Sequence, residues 1–190
     1  MSFTEPVRDK KKVAALMAFY RLRGQLRNHL LIVAAVHTAL RISDLLRLTW
    51  DDVYDFKRRR FKSHIRLTEH KTGKSKAVAV HSAVKAALLM CRASAAPGKP
   101  LFMNKRTGRA ISRIQAYRLI RSAAESLEFA EPVSCHSLRK TFGYHAWKDG
   151  VSPAVIMELY NHSSMAVTRR YLGVAQEDKD AVYLGLKFAG

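Results

Sequence analysis

Residues 135–142 read Cys135-His136-Ser137-Leu138-Arg139-Lys140-Thr141-Phe142, and the fold is read outward from this stretch. His136 and Arg139 stand three residues apart, so on a helix both side chains share one face. Backbone N–H groups at such a helix start favour an anion. Taken alone, His-x-x-Arg fits a capping or surface pair more readily than an anion site, so the residues on either side must decide.

Downstream, helical spacing continues to Asp149, then resumes over Pro153 to Tyr160, over Met165 to Tyr171, and over Lys179 to Phe188. Upstream, Ile114, Tyr117, Ile120, Ala124 and Leu127 mark a helix, and Val84, Ala87, Leu88 and Cys91 another. The loop Ala95-Ala96-Pro97-Gly98-Lys99-Pro100 breaks the chain between them. Near the N-terminus, helices are expected over about residues 8–22 and 28–40, with a short helical turn from Ser43 to Leu48. Only residues 52–81 change period. There Phe61, Ser63, Ile65 and Leu67 alternate with Lys62, His64, Arg66 and Thr68, and Val78 and Val80 repeat the pattern. Lys71-Thr72-Gly73-Lys74 supplies the turn, and a first strand near residues 52–56 would complete three. The expected fold class is mainly α with a small three-stranded antiparallel β-sheet (α+β). One domain is expected over residues 1–190, with an arm at 1–7, the sheet at 52–81 and a tail at 172–190.

Charge narrows the partner. The 190 residues carry 34 Lys and Arg against 15 Asp and Glu, a formal charge of +19. Such an excess repels itself in a compact chain and is relieved beside a polyanion, with nucleic acid first. An anionic membrane surface or a ribosomal setting would account for the same charge. No apolar run is long enough to cross a bilayer, and Met1 to Lys12 is too charged for a signal peptide, so the cytoplasm, with the nucleoid, is the expected location. The two cysteines have no partners at metal spacing, and no Gly-rich phosphate loop is present.

Further residues of the right chemistry lie along the chain. Arg41 ends an apolar helix in Ala39-Leu40-Arg41-Ile42-Ser43-Asp44, where Asp44 could hold its guanidinium. His162 lies in the polar turn Tyr160-Asn161-His162-Ser163-Ser164, and Tyr171 follows nine residues later behind Arg169 and Arg170. Lys71 sits on the hairpin. In order the chain therefore offers Arg, Lys, His-x-x-Arg, His and Tyr.

That order carries a resemblance. Thr38 to Leu45 resembles the first arginine box of the tyrosine recombinase (phage integrase) family, and Cys135 to Phe142 its second. Leu159-Tyr160-Asn161-His162-Ser163-Ser164 with Thr168-Arg169-Arg170-Tyr171 resembles its closing box. Two departures stand out: Asn161 occupies the usual Gly position before the last His, and Asp44 the usual Glu position. The usual N-terminal DNA-clamping domain has no counterpart in the sequence, so the chain resembles the short, catalytic-domain-only members or a fragment. The resemblance implies that Tyr171 is a nucleophile forming a 3′-phosphotyrosine link, that Arg41 and Arg139 grip the scissile phosphate, and that Asp44 supports them. It implies further that His136 handles the tyrosine proton, His162 bonds the phosphate, and Lys71 (or Lys74) protonates the leaving 5′ oxygen. No metal or other cofactor is implied. Double-stranded DNA is the implied partner and a tetramer on paired sites the implied assembly. The segment Val182 to Phe188 could dock on a neighbouring subunit or pack on its own domain. Two rivals share the features: a type IB topoisomerase-like enzyme and a non-enzymatic DNA-binding regulator.

Overall fold

A computed structural model describes residues 4–185. The chain runs through α1 (Lys10–Arg21), α2 (Leu26–His37), α3 (Ile42–Leu45) and α4 (Trp50–Val53), then β1 (Tyr54–Asp55), β2 (Arg60–Phe61), β3 (His64–Thr68) and β4 (Ser75–Ala79). Among the described residues six α-helices follow: α5 (Ser82–Met90), α6 (Arg113–Ser126), α7 (Cys135–Lys148), α8 (Pro153–Tyr160), α9 (Met165–Leu172) and α10 (Gln176–Gly185), with a short 3-10 turn at Arg92–Ser94. Among the described residues no helix is long and apolar enough to cross a membrane.

Helix α2 is the axis of the fold. Its nine residues from Asn28 to Val36 are all buried, and it packs against α1, α5 and α7. A helix apolar on every side must be covered on every side. Helix α2 stops at His37, short of Leu40, because Ala39 turns into the left-handed region with φ +52°. A second, smaller cluster forms where Ala39, Ile156, Tyr160 and Leu172 meet, with Phe142 and Tyr171 against them.

Local chemistry starts the helices that matter. Ser134 accepts hydrogen bonds from the N–H groups of His136 and Ser137, both at 3.2 Å, while the Ser137 hydroxyl accepts from the Ser134 N–H at 3.1 Å. This reciprocal cap fixes the start of α7. Ser152 and Pro153 start α8, and Asn161 closes it in the left-handed conformation, φ +54°. That is the position where glycine is commonest and asparagine next.

The expected three-stranded sheet resolves into two two-stranded ones. In the first Tyr54 pairs with Phe61 and Asp55 with Arg60; in the second β3 pairs β4 from His64↔Ala79 to Thr68↔Ser75. The physical reason is a helix cap. Asp52, expected in a strand, accepts from the Thr49 N–H at 2.7 Å and winds Trp50–Val53 into α4. Only two residues are left to pair. The last helix begins at Gln176 rather than Lys179, and the part of the tail from 186 to 190 lies outside the described residues.

Candidate active site

Arg41 and Arg139 meet from opposite directions. The Arg41 carbonyl accepts from the N–H groups of Asp44 and Leu45, both at 2.9 Å, so its side chain leaves from the very start of α3. Arg139 is the fifth residue of α7, one turn in from its start, and is 2% exposed. Its Nη1 donates to the Ala39 carbonyl and its Nη2 to the Tyr160 carbonyl at 3.2 Å. The Tyr160 ring lies 4.6 Å from the guanidinium carbon, and its hydroxyl donates to the Arg139 carbonyl at 2.5 Å. The Arg139 Nε is buried and has no hydrogen-bond partner. Burial and then the neighbouring Arg41 both press against its charge. A buried cation with a free donor is stabilised by an anion brought to it.

The expected Arg41–Asp44 pair is not formed. Arg41 Nη1 lies 2.8 Å from Glu69 Oε2, off the hydrogen-bond axis, and Glu69 is fully buried. Asp44 instead accepts the His70 N–H at 2.8 Å through Oδ1. The cause is geometric: Arg41 caps α3 from outside, whereas Asp44 lies within its first turn and faces the β3–β4 hairpin. Asp44 thus holds the hairpin, and Glu69 holds the arginine. Burial alone would raise the Glu69 carboxyl. The Thr72 hydroxyl, donating at 2.7 Å, the nearby Asn161 amide and Arg41 outweigh it and keep the group below its usual range. Gly73 closes the turn with φ +67°. Lys71 is exposed on this turn and reaches the same cleft as Arg41 and Arg139; Lys74 is exposed and does not line it.

Tyr171 comes from the last turn of α9. Its ring centroid is 4.4 Å from His162, 4.9 Å from His136 and 5.2 Å from Tyr160. His162 stacks on Tyr160 at 4.9 Å, shares a hydrogen bond of 3.1 Å between Nδ1 and the Thr168 hydroxyl, and does not itself line the cleft. Both imidazoles are pushed down to about 4. Burial is the first cause for each; Lys140 and then Arg139 and Arg41 add to it at His136, and Arg139 and Arg41 at His162. Part of His136 remains open to solvent. Both rings are therefore neutral at physiological pH and can accept a proton.

The cleft has a volume of about 1410 Å³, larger than small-molecule sites usually need. Arg41, Arg47, Lys71, Arg113, His136, Arg139 and Tyr171 line it, together with apolar Ile42, Leu46 and Ile114, and no carboxylate is among its described lining residues. A separate groove runs along β2 and β3, lined by Arg58, Arg60, Lys62, His64 and Arg66 with Asp52 and Asp55.

The model of the phage integrase family matches residues 7–178 of this chain. The chain belongs to the phage integrase family. Within it, the chain is 34% identical over 183 residues to the probable integrase/recombinase YoeC of Bacillus subtilis, covering 96% of this chain and 97% of the relative. It is 32% identical over 171 residues to the tyrosine recombinase XerD of Mycobacterium leprae, covering 84% of this chain but 52% of that one. The chain thus spans nearly all of the first relative and about half of the second. Among solved structures its fold is similar to XerA recombinase, with a TM-score of 0.76 at 21% identity over 96% of this chain and 65% of that one. It is also similar to XerH recombinase bound to its difH substrate after cleavage, with a TM-score of 0.71 at 17% identity over 96% and 54%.

Arg41, Lys71, His136, Arg139, His162 and Tyr171, singled out along the sequence, all fall at or directly behind this cleft. Glu69, Lys76 and Tyr160 were not singled out. Glu69 and Tyr160 contact Arg41 and Arg139, and Lys76 lies 3.8 Å from Glu69; these are contacts between segments distant in the chain, which left no local signal.

Proposed function

We propose that this chain is a site-specific DNA recombinase that cleaves and rejoins strands through a tyrosine-linked intermediate. One observation carries the reading: a phenol flanked by two neutral imidazoles opens, with two arginines, onto a macromolecule-sized cleft whose described lining has cations and no carboxylate. Tyr171 Oη attacks phosphorus, and the bond from phosphorus to the 5′ oxygen breaks. His136, neutral beforehand, takes the phenol proton, and Lys71 gives a proton to the departing oxygen. The guanidinium forks of Arg41 and Arg139 fit the non-bridging oxygens better than an ammonium would. Each lost donor costs roughly 3 kcal/mol, about a hundredfold in rate. His162 has Nδ1 engaged by Thr168, which leaves Nε2 for the phosphate. Attack by the 5′ hydroxyl of another strand reverses the steps and reseals the backbone.

The partner is duplex DNA, and exchange of strands between two duplexes calls for four protomers. Val182, Tyr183 and Leu184 on α10, 61%, 80% and 86% exposed, supply apolar surface for such contacts. The test uses nicked duplexes tiled across the DNA flanking the coding region, incubated with the protein and run on a denaturing gel. A covalent adduct that Tyr171→Phe abolishes is expected. Binding without adduct on every tile would instead make the chain a regulator, and relaxation of supercoils lacking any such site would make it topoisomerase-like.

A further inference from the structure

Lys76 has no part in the reaction as written, yet its side chain is 8% exposed and sits beneath the site. It stands on β4 opposite Leu67. The strand alternates, with Ser75, Ala77 and Ala79 outward and Lys76 and Val78 inward. An inward strand position is ordinarily apolar, and a buried ammonium is costly unless something offsets it. Here two acceptors do. Lys76 Nζ donates to the Leu159 carbonyl at 2.5 Å and lies 3.8 Å from Glu69 Oε1. Leu159 is in the last turn of α8, where the helix dipole welcomes a cation. The next carbonyl, of Tyr160, is the one Arg139 holds, and His162 follows two residues later. Glu69, on its other side, anchors both Arg41 and the turn that bears Lys71. One ammonium thus joins the hairpin to the end of α8.

We infer that Lys76 is a positioning residue, pinning the β3–β4 hairpin against the C-terminal end of α8 so that Lys71 reaches the leaving oxygen. The fold alone does not require a charge there. A methionine would fill the same inward slot with less desolvation, but it could bridge neither Glu69 nor the Leu159 carbonyl. Burial, then Arg139, bring the ammonium down to about 8, while Glu69 and Asp44 work against them and Arg41 adds to the lowering. The group therefore remains charged at neutral pH, as the bridge needs.

This inference rests on the recombinase reading, and its test is built to fail separately. The substrate is the duplex cleaved in the tiling screen, made in two forms: one ordinary, the other with sulfur in place of the bridging 5′ oxygen at the cut site. A thiolate leaves without a proton, so a defect in proton delivery disappears on the sulfur substrate. Lys71→Ala is expected to slow ordinary cleavage on the order of a hundredfold and Lys76→Met about tenfold. Both are expected to return close to the wild-type rate on the sulfur substrate, with DNA affinity unchanged. Lys76→Arg, which keeps the charge and can reach both acceptors, is expected to stay near wild type on both and guards against a variant that merely folds badly. Lys76→Met slowed equally on both substrates, or not slowed at all, would overturn the positioning role alone. Wild-type protein that makes no adduct on either would overturn the recombinase reading beneath it.

Discussion

The Arg139 guanidinium uses two donors on the carbonyls of Ala39 and Tyr160 and keeps Nε without a partner, which suits it to serve as a strut and, in the proposed reaction, as an anion receptor. A lysine ammonium has three N–H donors but on a single nitrogen, so it cannot span the separated positions that the three guanidinium nitrogens reach. Arg139→Lys is expected to lower single-turnover cleavage at least about a hundredfold, with a smaller fall in DNA affinity, and to lower the melting temperature through the orphaned carbonyls. The imidazoles give a pH dependence. His136 and His162 titrate near 6.5 when unfolded and about 4 when folded. Between those values the unfolded chain binds more protons, so stability rises with pH and is lost as pH falls through the window. Melting curves of the free protein across it should show a loss on the order of 1 kcal/mol after solvent screening, flattened in the double His→Asn variant. At this scale the sequence was most legible where neighbours are close in the chain. His136 and Arg139 share a turn, so their convergence could be read directly. The Arg41 partner could not: Asp44 is three residues away and Glu69 twenty-eight, and burial chose the distant one.

At the scale of elements, helix α7 is tied to α8 by a contact at a glycine. A Cβ placed on Gly143 would lie 2.5 Å from the Tyr160 hydroxyl and 2.8 Å from its ring. Two effects oppose each other in Gly143→Ala. Helix propensity gains about 1 kcal/mol, whereas overpacking a buried, hydrogen-bonded aromatic costs roughly 1–3 kcal/mol. Since Tyr160 also supports Arg139, His162 and Tyr171, overpacking wins. The variant is expected to melt lower and to cleave poorly even where it remains folded, which calorimetry and the adduct gel would show together. The helices were readable from apolar spacing and capping residues, to within a turn at most ends. The sheet was not, because the Thr49–Asp52 cap and the strand signal compete for the same residues and the cap prevails.

For the molecule as a whole, a charge of +19 should make DNA affinity fall steeply with salt. The logarithmic slope is about −0.9 per phosphate contact. If the groove along β2 and β3 follows the backbone, Arg60→Ala with Lys62→Ala should make that slope shallower by nearly 2, leaving the rate of adduct formation at saturating protein unchanged. Titrations over a series of salt concentrations would read it. Charge pointed to a polyanion from composition alone, and the alternation of Lys62, His64 and Arg66 was readable too, but only the fold brings Arg58 and Arg60 into the same groove. A last consequence comes from the seat of Tyr171, wedged by His136, His162 and Tyr160 of its own chain. On the recombinase reading, each copy is expected to cut the strand that it grips itself. Mixing chains that lack the phenol with chains that lack Arg139 is then expected to rescue nothing, and recovery of cleavage would show a nucleophile passed between copies.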